Sequence, residues 1–108
     1  MRQYLNNFIT NKKVAAASVY IKIGEMPSSL AGKIVLIENA DPGFDWIFGQ
    51  HIAGLITKYG GVNSHMAIRA GELGLPAVIG AGELLYEKWS EAKLLHLDCS
   101  GRRVEVLA

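Results

Sequence analysis

The stretch GGVNSHMAIRAGELGLPAVIG, residues 60–80, combines a Gly-Gly pair, a histidine, a helical pattern and an apolar run led by proline. The glycine pair permits backbone angles that other residues avoid, which predicts a tight turn. A helix is predicted from about residue 63 to residue 73, because Gly74 suits a left-handed C-cap and Pro76 cannot continue a helix. These signals place His65 in the first turn of a helix that follows a glycine turn.

Short apolar runs alternate with helical patterns on both sides of this stretch, as in a sheet with helices packed on it. Asp41 and Pro42 open one helix, because an aspartate can cap free N–H groups and a proline fits the first helical position. That helix is predicted to end at Gly54 or just before it. The predicted strands lie within 14–23 and over 33–40, 55–59, 77–81, 93–98 and 103–107, and the remaining helix lies over 83–92. The order of these elements predicts a mixed α/β fold.

Length and charge restrict the classes of protein to which the chain can belong. With 108 residues it suits one compact domain, whose core can form without a metal or a disulfide. A formal net charge of +1, with the charges scattered along the chain, predicts no nucleic-acid partner and no polybasic membrane surface. The apolar runs are far shorter than the roughly 20 residues of a membrane helix, so we expect no membrane partner and a cytoplasmic location.

The N-terminal segment differs in composition from the rest of the chain. Residues 1–13 are polar and rich in asparagine, which predicts a linker or a flexible N-terminus, followed by one domain over 14–108. Cys99 is the sole cysteine, which excludes an internal disulfide and a cysteine-based zinc site. Its position in a predicted hairpin turn predicts a thiol that is exposed and open to oxidation.

The start of the predicted helix has the chemistry of an anion site. The first N–H groups of a helix lack internal partners, and the helix dipole favours negative charge there. Asn63 and Ser64 are good N-cap residues, and the one that does not cap can donate to a phosphate oxygen. The dipole disfavours an imidazolium at His65, so we expect a neutral ring that can attack phosphorus. A capped helix whose histidine is merely half exposed remains the alternative.

One stripe of this helix is predicted to be polar and exposed. His65, Arg69 and Glu72 lie four and three residues apart, which places them on one side of a helix. Arg69 could screen the charge of a phosphorylated His65 or pair with Glu72. The ion pair with Glu72 is the favoured prediction. The residues predicted to face the sheet are Ala67, Ala70 and Leu73.

The whole stretch resembles the phosphohistidine signature of the phosphoenolpyruvate-utilising enzymes. That signature usually reads Gly-Gly-x-Thr-Ser-His-Ala-Ala-Ile and continues to Ala-Arg-Glu-Leu-Gly-Ile-Pro-Ala-Val-Val-Gly. The resemblance extends to GKIVLIENADPGFDWIFGQHIAGLITKYGG before the histidine and to LLHLDCSGRRVEVL after it, which together cover about residues 32–108. The matching signature positions are Gly60, Gly61, Ser64, His65, Ala67, Ile68, Ala70, Glu72, Leu73, Gly74, Pro76, Ala77, Val78 and Gly80.

This resemblance implies a layered β/β/α domain that swivels between remote active sites. His65 would be the catalytic residue that carries a phosphoryl group between an ATP-type site and a pyruvate or phosphoenolpyruvate-type site. The phosphoryl oxygens would be held by Gly60, Gly61, Asn63 and Ser64. Arg69 is a further candidate for this role. The partners would be the nucleotide-binding and pyruvate-binding domains of the same or another chain. ATP and Mg²⁺ would bind to those domains. This domain would bind no cofactor or metal and would not catalyse the complete reaction alone.

Three departures from the signature limit what the resemblance implies. Asn63 replaces a threonine, Met66 replaces a small alanine, and Gly71 replaces an arginine that is often placed to meet phosphate. Arg69 lies about 200° around the helix from position 71 and does not simply take its place. These departures keep two rivals open: the carrier domain of a kinase for another small molecule, such as an antibiotic, and a docking domain that has lost transfer.

The other histidines and the aromatic residues are assigned structural roles. His51 lies near the end of the predicted 42–53 helix and is expected to stabilise that end. His96 is expected to lie on one face of a strand. The three histidines lack the spacing of metal ligands. Core or subdomain contacts are predicted for Trp46, Phe48 and Trp89.

Overall fold

A computed structural model of the chain describes residues 8–22, 25, 29–61 and 63–108. Within these ranges the chain forms a seven-stranded mixed sheet and three helices. The strands are β1 (Phe8–Ile9), β2 (Lys13–Tyr20), β3 (Ile34–Asn39), β4 (Gly54–Tyr59), β5 (Ala77–Val78), β6 (Leu94–Asp98) and β7 (Arg103–Val106). The helices are a 3-10 helix (Pro42–Gln50), α1 (His65–Leu73) and α2 (Glu83–Ser90). The predicted mixed α/β fold is confirmed.

Strand β2 joins two halves of the sheet, whose strand order is β1-β5-β4-β3-β2-β6-β7. Residues 13–17 of β2 pair antiparallel with β6, whereas residues 18–20 pair in parallel with β3. Strands β3, β4 and β5 are parallel neighbours, and β6 and β7 form an antiparallel hairpin. Because a single strand changes partner along its length, the sheet curls into two layers.

Strand β3 is buried on both faces, which explains its continuous apolar sequence. Val35 and Ile37 belong to a core cluster beneath the 3-10 helix and α1. Ile34 and Leu36 belong to a second cluster beneath α2 and β6. The sheet therefore carries helices on both faces, and α1 lies on the same face as the 3-10 helix.

The helix after β3 begins where the sequence predicts. Asp41 is its N-cap, and its Oδ1 atom accepts a hydrogen bond from the Gly43 N–H at 2.8 Å. Pro42 follows at the first helical position. The helix is of the 3-10 type and ends at Gln50, and His51 closes it with a left-handed φ of 58°. The predicted position of His51 at the helix end is confirmed.

Gly54 lies in a strand rather than at the helix end, so this part of the prediction is wrong. It is the first residue of β4, and a Cβ there would lie 3.2 Å from Leu97 Cδ2 and 3.3 Å from the Pro76 carbonyl oxygen. The glycine is needed for close packing between strands. The strand predicted over 77–81 is also shorter, because Gly80 bends the chain with a φ of 74° after β5.

Strand β1 lies in the segment predicted to be a linker. Phe8 pairs antiparallel with Val78, and Ile9 packs against the core cluster beneath α1. Residues 1–7 lie outside the described residues, and the division of the chain at residue 13 stays a prediction. None of the helices in the described ranges is long and apolar enough to span a bilayer.

Candidate functional site

His65 is the first residue of α1, as the sequence predicts within two residues. Ser64 is the N-cap, and its Oγ atom accepts a hydrogen bond from the Ala67 N–H at 3.3 Å. This bond uses a backbone donor of the first turn and fixes the direction in which the helix starts. The His65 side chain is 43% exposed, so its ring is open to a reaction partner.

The turn before His65 depends on Gly60. Its φ is +133°, and a Cβ at this position would lie 2.5 Å from the Ala40 Cβ atom. Gly61 differs, because a Cβ there would meet no atom within 4 Å. The Ser64 N–H donates to the Gly61 carbonyl oxygen at 3.0 Å, and Asn63 is exposed on the turn between them. The backbone reaches α1 through a tight contact, whereas the space beside Gly61 is open.

Asp45 of the 3-10 helix contacts the His65 ring. The distance between His65 Nε2 and Asp45 Oδ1 is 2.7 Å, and both side chains are 43% exposed. The hydrogen bond to His65 is the main reason that the pKa of Asp45 lies below its ordinary value, with desolvation opposing it and Arg69 adding to it. An ionised carboxylate only accepts hydrogen bonds. In this hydrogen bond Nε2 of His65 is therefore the donor and Asp45 Oδ1 the acceptor.

Arg69 binds the same oxygen of Asp45. Its Nε atom donates to Asp45 Oδ1 at 3.2 Å, and its Nη1 atom lies 3.8 Å from Glu72 Oε1. The guanidinium carbon also lies 5.4 Å from the centre of the Phe48 ring. The predicted pair with Glu72 is present, but the carboxylate of Asp45 is the nearer partner. Arg69 is thus held beside His65 by groups from two helices.

The buried face of α1 contains Met66, Ala67 and Ala70. Met66 fills the core, so its bulk does not crowd the exposed imidazole. The prediction that Leu73 faces the sheet is wrong, because Leu73 is the last residue of α1 and is 52% exposed. A side chain at Gly71 would start 3.7 Å from Ile9 Cγ2, on the side of the helix that faces β1.

Residues 30–101 match the family described as PEP-utilising enzyme, mobile domain. The chain belongs to this family. The match contains the glycine turn, all of α1 and the 3-10 helix with Asp45. The resemblance inferred from the signature is confirmed.

Curated relatives of this mobile domain are much longer enzymes. The phosphoenolpyruvate synthase of Aquifex aeolicus is 32% identical over 84 residues, which are 78% of this chain and 10% of that protein. The phosphoenolpyruvate synthase of Escherichia coli is 32% identical over 78 residues, 72% of this chain and 10% of that protein. The rifampicin phosphotransferase of Streptomyces sviceus is 44% identical over 50 residues, 46% of this chain and 6% of that protein. The chain therefore spans about a tenth of these relatives or less.

The fold also matches a solved structure of comparable size. A UPF0107 protein, solved by solution NMR, superimposes with a TM-score of 0.68 and covers 94% of this chain and 96% of that chain. The sequences are 15% identical, so the likeness shows the fold alone.

The mobile domain gathers His65, Arg69 and a residue that sequence reasoning missed. Asp45 lies 20 positions before His65, so no local pattern in α1 indicates the contact. The available signal was the acidic residue in the first turn of the helix that Asp41 caps. The roles predicted for the glycines, Asn63 and Ser64 as phosphoryl ligands stay predictions.

The other candidate residues of the mobile domain lie in structural positions. His96 pairs with Glu105 across the β6–β7 hairpin, with 3.2 Å between Nδ1 and Oε1. The prediction of an exposed Cys99 is wrong: the residue is 4% exposed, and burial raises the pKa of its thiol. Its N–H donates to the Lys12 carbonyl oxygen at 3.0 Å, which holds the turn against the start of β2. Among the described residues, no group of three or more His, Cys, Asp or Glu side chains could hold a metal ion.

The aromatic residues pack as predicted. Trp89 is buried in the cluster beneath α2, and Trp46 and Phe48 are partly buried against the cluster beneath α1. Phe48 has a second contact through its ring face, which supports Arg69. Trp46 and Phe48 therefore lie on the side of the sheet that carries the site, whereas Trp89 lies on the opposite side.

Proposed function

We propose that this mobile domain carries a phosphoryl group on His65 and relays it between an ATP-type site and a pyruvate or phosphoenolpyruvate-type site on other domains. The observation that carries the proposal is the His65 imidazole, 43% exposed at the start of α1 and bound through Nε2 to Asp45. The family and its phosphoenolpyruvate synthase relatives support phosphotransfer as the reaction class. ATP and Mg²⁺ would bind the partner domains.

The proposed chemistry divides one transfer into two steps. In the first, a ring nitrogen lone pair of His65 forms an N–P bond while the P–O bond of the donor breaks and its electron pair leaves with the donor. In the second, an acceptor oxygen forms a P–O bond while the N–P bond breaks and its electron pair returns to the ring. Imidazole serves both steps, because it is a good nucleophile when neutral and a good leaving group afterwards. The turn at Gly60, Gly61, Asn63 and Ser64 would hold the phosphoryl oxygens.

A second candidate function is a carrier domain that serves a kinase for another small molecule. The observation that favours it is the 44% identity to the rifampicin phosphotransferase of Streptomyces sviceus over 50 residues. The chemistry at His65 would be the same, and the final acceptor would differ. A docking domain without transfer is the third candidate, motivated by Asn63 and Gly71.

The test is phosphorylation of the purified chain by phosphoramidate, followed by intact mass and phosphorus NMR. The variant His65→Ala removes the proposed carrier, and His96→Ala is a matched control because His96 also pairs with a carboxylate. We expect one acid-labile adduct on the wild-type chain and on His96→Ala, and none on His65→Ala. A folded wild-type chain that takes no phosphoryl group, or an equal adduct on His65→Ala, supports the docking domain instead.

A further inference from the structure

Two donors of α1 point at one carboxylate oxygen. His65 Nε2 lies 2.7 Å and Arg69 Nε lies 3.2 Å from Asp45 Oδ1. The donors are four residues apart, one helical turn, so a rigid element sets their separation. The acceptor comes from a different element, the 3-10 helix. The two donors of α1 therefore converge on one position, and the Asp45 carboxylate of the 3-10 helix occupies that position.

A phosphoryl group on Nε2 would need the same place. Carboxylate and phosphoryl oxygens both accept charge-assisted hydrogen bonds from an arginine, so either anion satisfies Arg69. An N–P bond would replace the Nε2–H bond. Nε2 could then no longer donate the hydrogen bond that Asp45 accepts. The two anions would also repel each other at this distance. The Asp45 carboxylate and a phosphoryl group on Nε2 are thus alternative occupants of one position.

We propose that Asp45 occupies, in the unphosphorylated domain, the place that the phosphoryl group takes on Nε2 of His65, and that Arg69 exchanges the carboxylate for the phosphoryl group. This inference rests on the proposed function. It assigns Asp45 as a positioning residue that opposes phosphorylation of His65 and favours transfer of the phosphoryl group away from it. It also gives Arg69 a cationic role beside His65, whereas position 71 lies on the side of α1 that faces β1.

The exchange requires only movements of exposed side chains. The Asp45 and His65 side chains are 43% exposed and the Arg69 side chain is 36% exposed, so water can replace each contact as it breaks. Glu72 and Phe48 keep the guanidinium in place from the other sides. Arg69 therefore stays beside Nε2 when Asp45 withdraws.

With phosphoramidate as donor, the bond changes balance without another reactant. When Asp45 withdraws, the Nε2 proton is transferred through water to the lone pair of Nδ1, which leaves a lone pair on Nε2. That lone pair forms the N–P bond while the P–N bond of the donor breaks, and the donor nitrogen, which carries three hydrogens in the zwitterionic form of phosphoramidate, leaves with the electron pair as ammonia. The ring keeps its proton on Nδ1, and the Arg69 Nε–H donates to a phosphoryl oxygen.

The experiment compares initial rates of phosphorylation by phosphoramidate for four forms of the whole chain. Asp45→Asn removes the competing charge, Arg69→Gln removes the cation, and Glu105→Gln is the control that neutralises the carboxylate of the other histidine pair. We expect Asp45→Asn to react about two- to fivefold faster, which is the effect of losing a half-exposed ion pair. Arg69→Gln should react more slowly, and Glu105→Gln should match the wild-type chain.

The second readout is the phosphorylated nitrogen and the stability of the adduct. Phosphorus–nitrogen couplings should place the phosphoryl group on Nε2, and the adduct of Asp45→Asn should hydrolyse more slowly than that of the wild-type chain. A wild-type adduct on Nδ1, or an Asp45→Asn variant that folds and reacts at the wild-type rate or below it, overturns the inference while the carrier function stands. No adduct on any folded form overturns the proposed function itself. Amide spectra of each variant establish that it is folded.

Discussion

The Cβ atom of Ala40 lies too close to Gly60 for a side chain at that position, since a Cβ added to Gly60 would be 2.5 Å from it. Ala40 follows β3 and Gly60 follows β4, and the Ala40 N–H donates to the Tyr59 carbonyl oxygen at 3.1 Å. The end of one parallel strand therefore presses on the end of the next, just before the chain turns toward His65. The first glycine of the signature has a packing role that is independent of any phosphoryl group.

Gly60→Ala should lower the free energy of unfolding by about 2 kcal/mol, because it adds a strained φ and a contact that is too short. Gly61→Ala is the matched control, since a Cβ there meets no atom within 4 Å. Its effect should be small. Urea denaturation of both variants measures the difference. Equal losses in the two variants would contradict the packing role of Gly60.

Ser64 is expected to have two separable roles. Ser64→Ala removes the acceptor of the Ala67 N–H and should lower the free energy of unfolding by about 1 kcal/mol. Ser64→Asp keeps an acceptor for the cap but places a negative charge next to His65. We expect it to retain wild-type stability and to slow phosphorylation by phosphoramidate. The cap assignment is wrong if thermal and urea unfolding show the same loss in both variants.

Local signals were sufficient to predict both ends of α1 from the sequence. Gly74 adopts a left-handed φ of 67°, and its N–H donates to the carbonyl oxygens of Ala70 and Gly71. Ser64 caps the other end with its own side chain. Each signal acts within about one helical turn, so a single sequence contains it.

The partners of His65 could not be predicted in the same way. Asp45 reaches His65 only because the 3-10 helix and α1 pack on one face of the sheet. Cys99 has turn residues around it, which predicted exposure, yet it is buried in the cluster beneath α2 and its N–H donates to the Lys12 carbonyl oxygen. Both outcomes depend on contacts between elements that are distant in sequence, and residue types and local spacing do not specify such contacts.

Asp45 should make stability depend on pH in the acid range. Its pKa is held below the ordinary value of 3.8 in the folded chain, chiefly by the hydrogen bond to His65. A depressed carboxyl pKa contributes stability above the unfolded-state value and loses it as the pH falls through the folded-state value. The free energy of unfolding of wild type should therefore exceed that of Asp45→Asn at neutral pH, and the two should converge below pH 3.8. Urea denaturation at a series of pH values measures this difference. A difference that stays constant through the acid range would contradict the link to His65.

Tyr86 should tolerate the loss of its hydroxyl group. Its Oη atom is buried and has no hydrogen-bond partner among the described residues, and its ring packs edge-on against Tyr20 with 6.0 Å between centroids. An unpaired buried hydroxyl carries an uncompensated desolvation cost, so Tyr86→Phe should keep or raise the free energy of unfolding, by about 1 kcal/mol. Tyr20→Phe is the matched control, because Tyr20 donates to Glu38 Oε2 at 3.4 Å and should gain nothing from the change. Urea denaturation compares the two variants. A clear loss of stability in Tyr86→Phe alone would show that the hydroxyl has a partner in the folded chain and would contradict the expected gain.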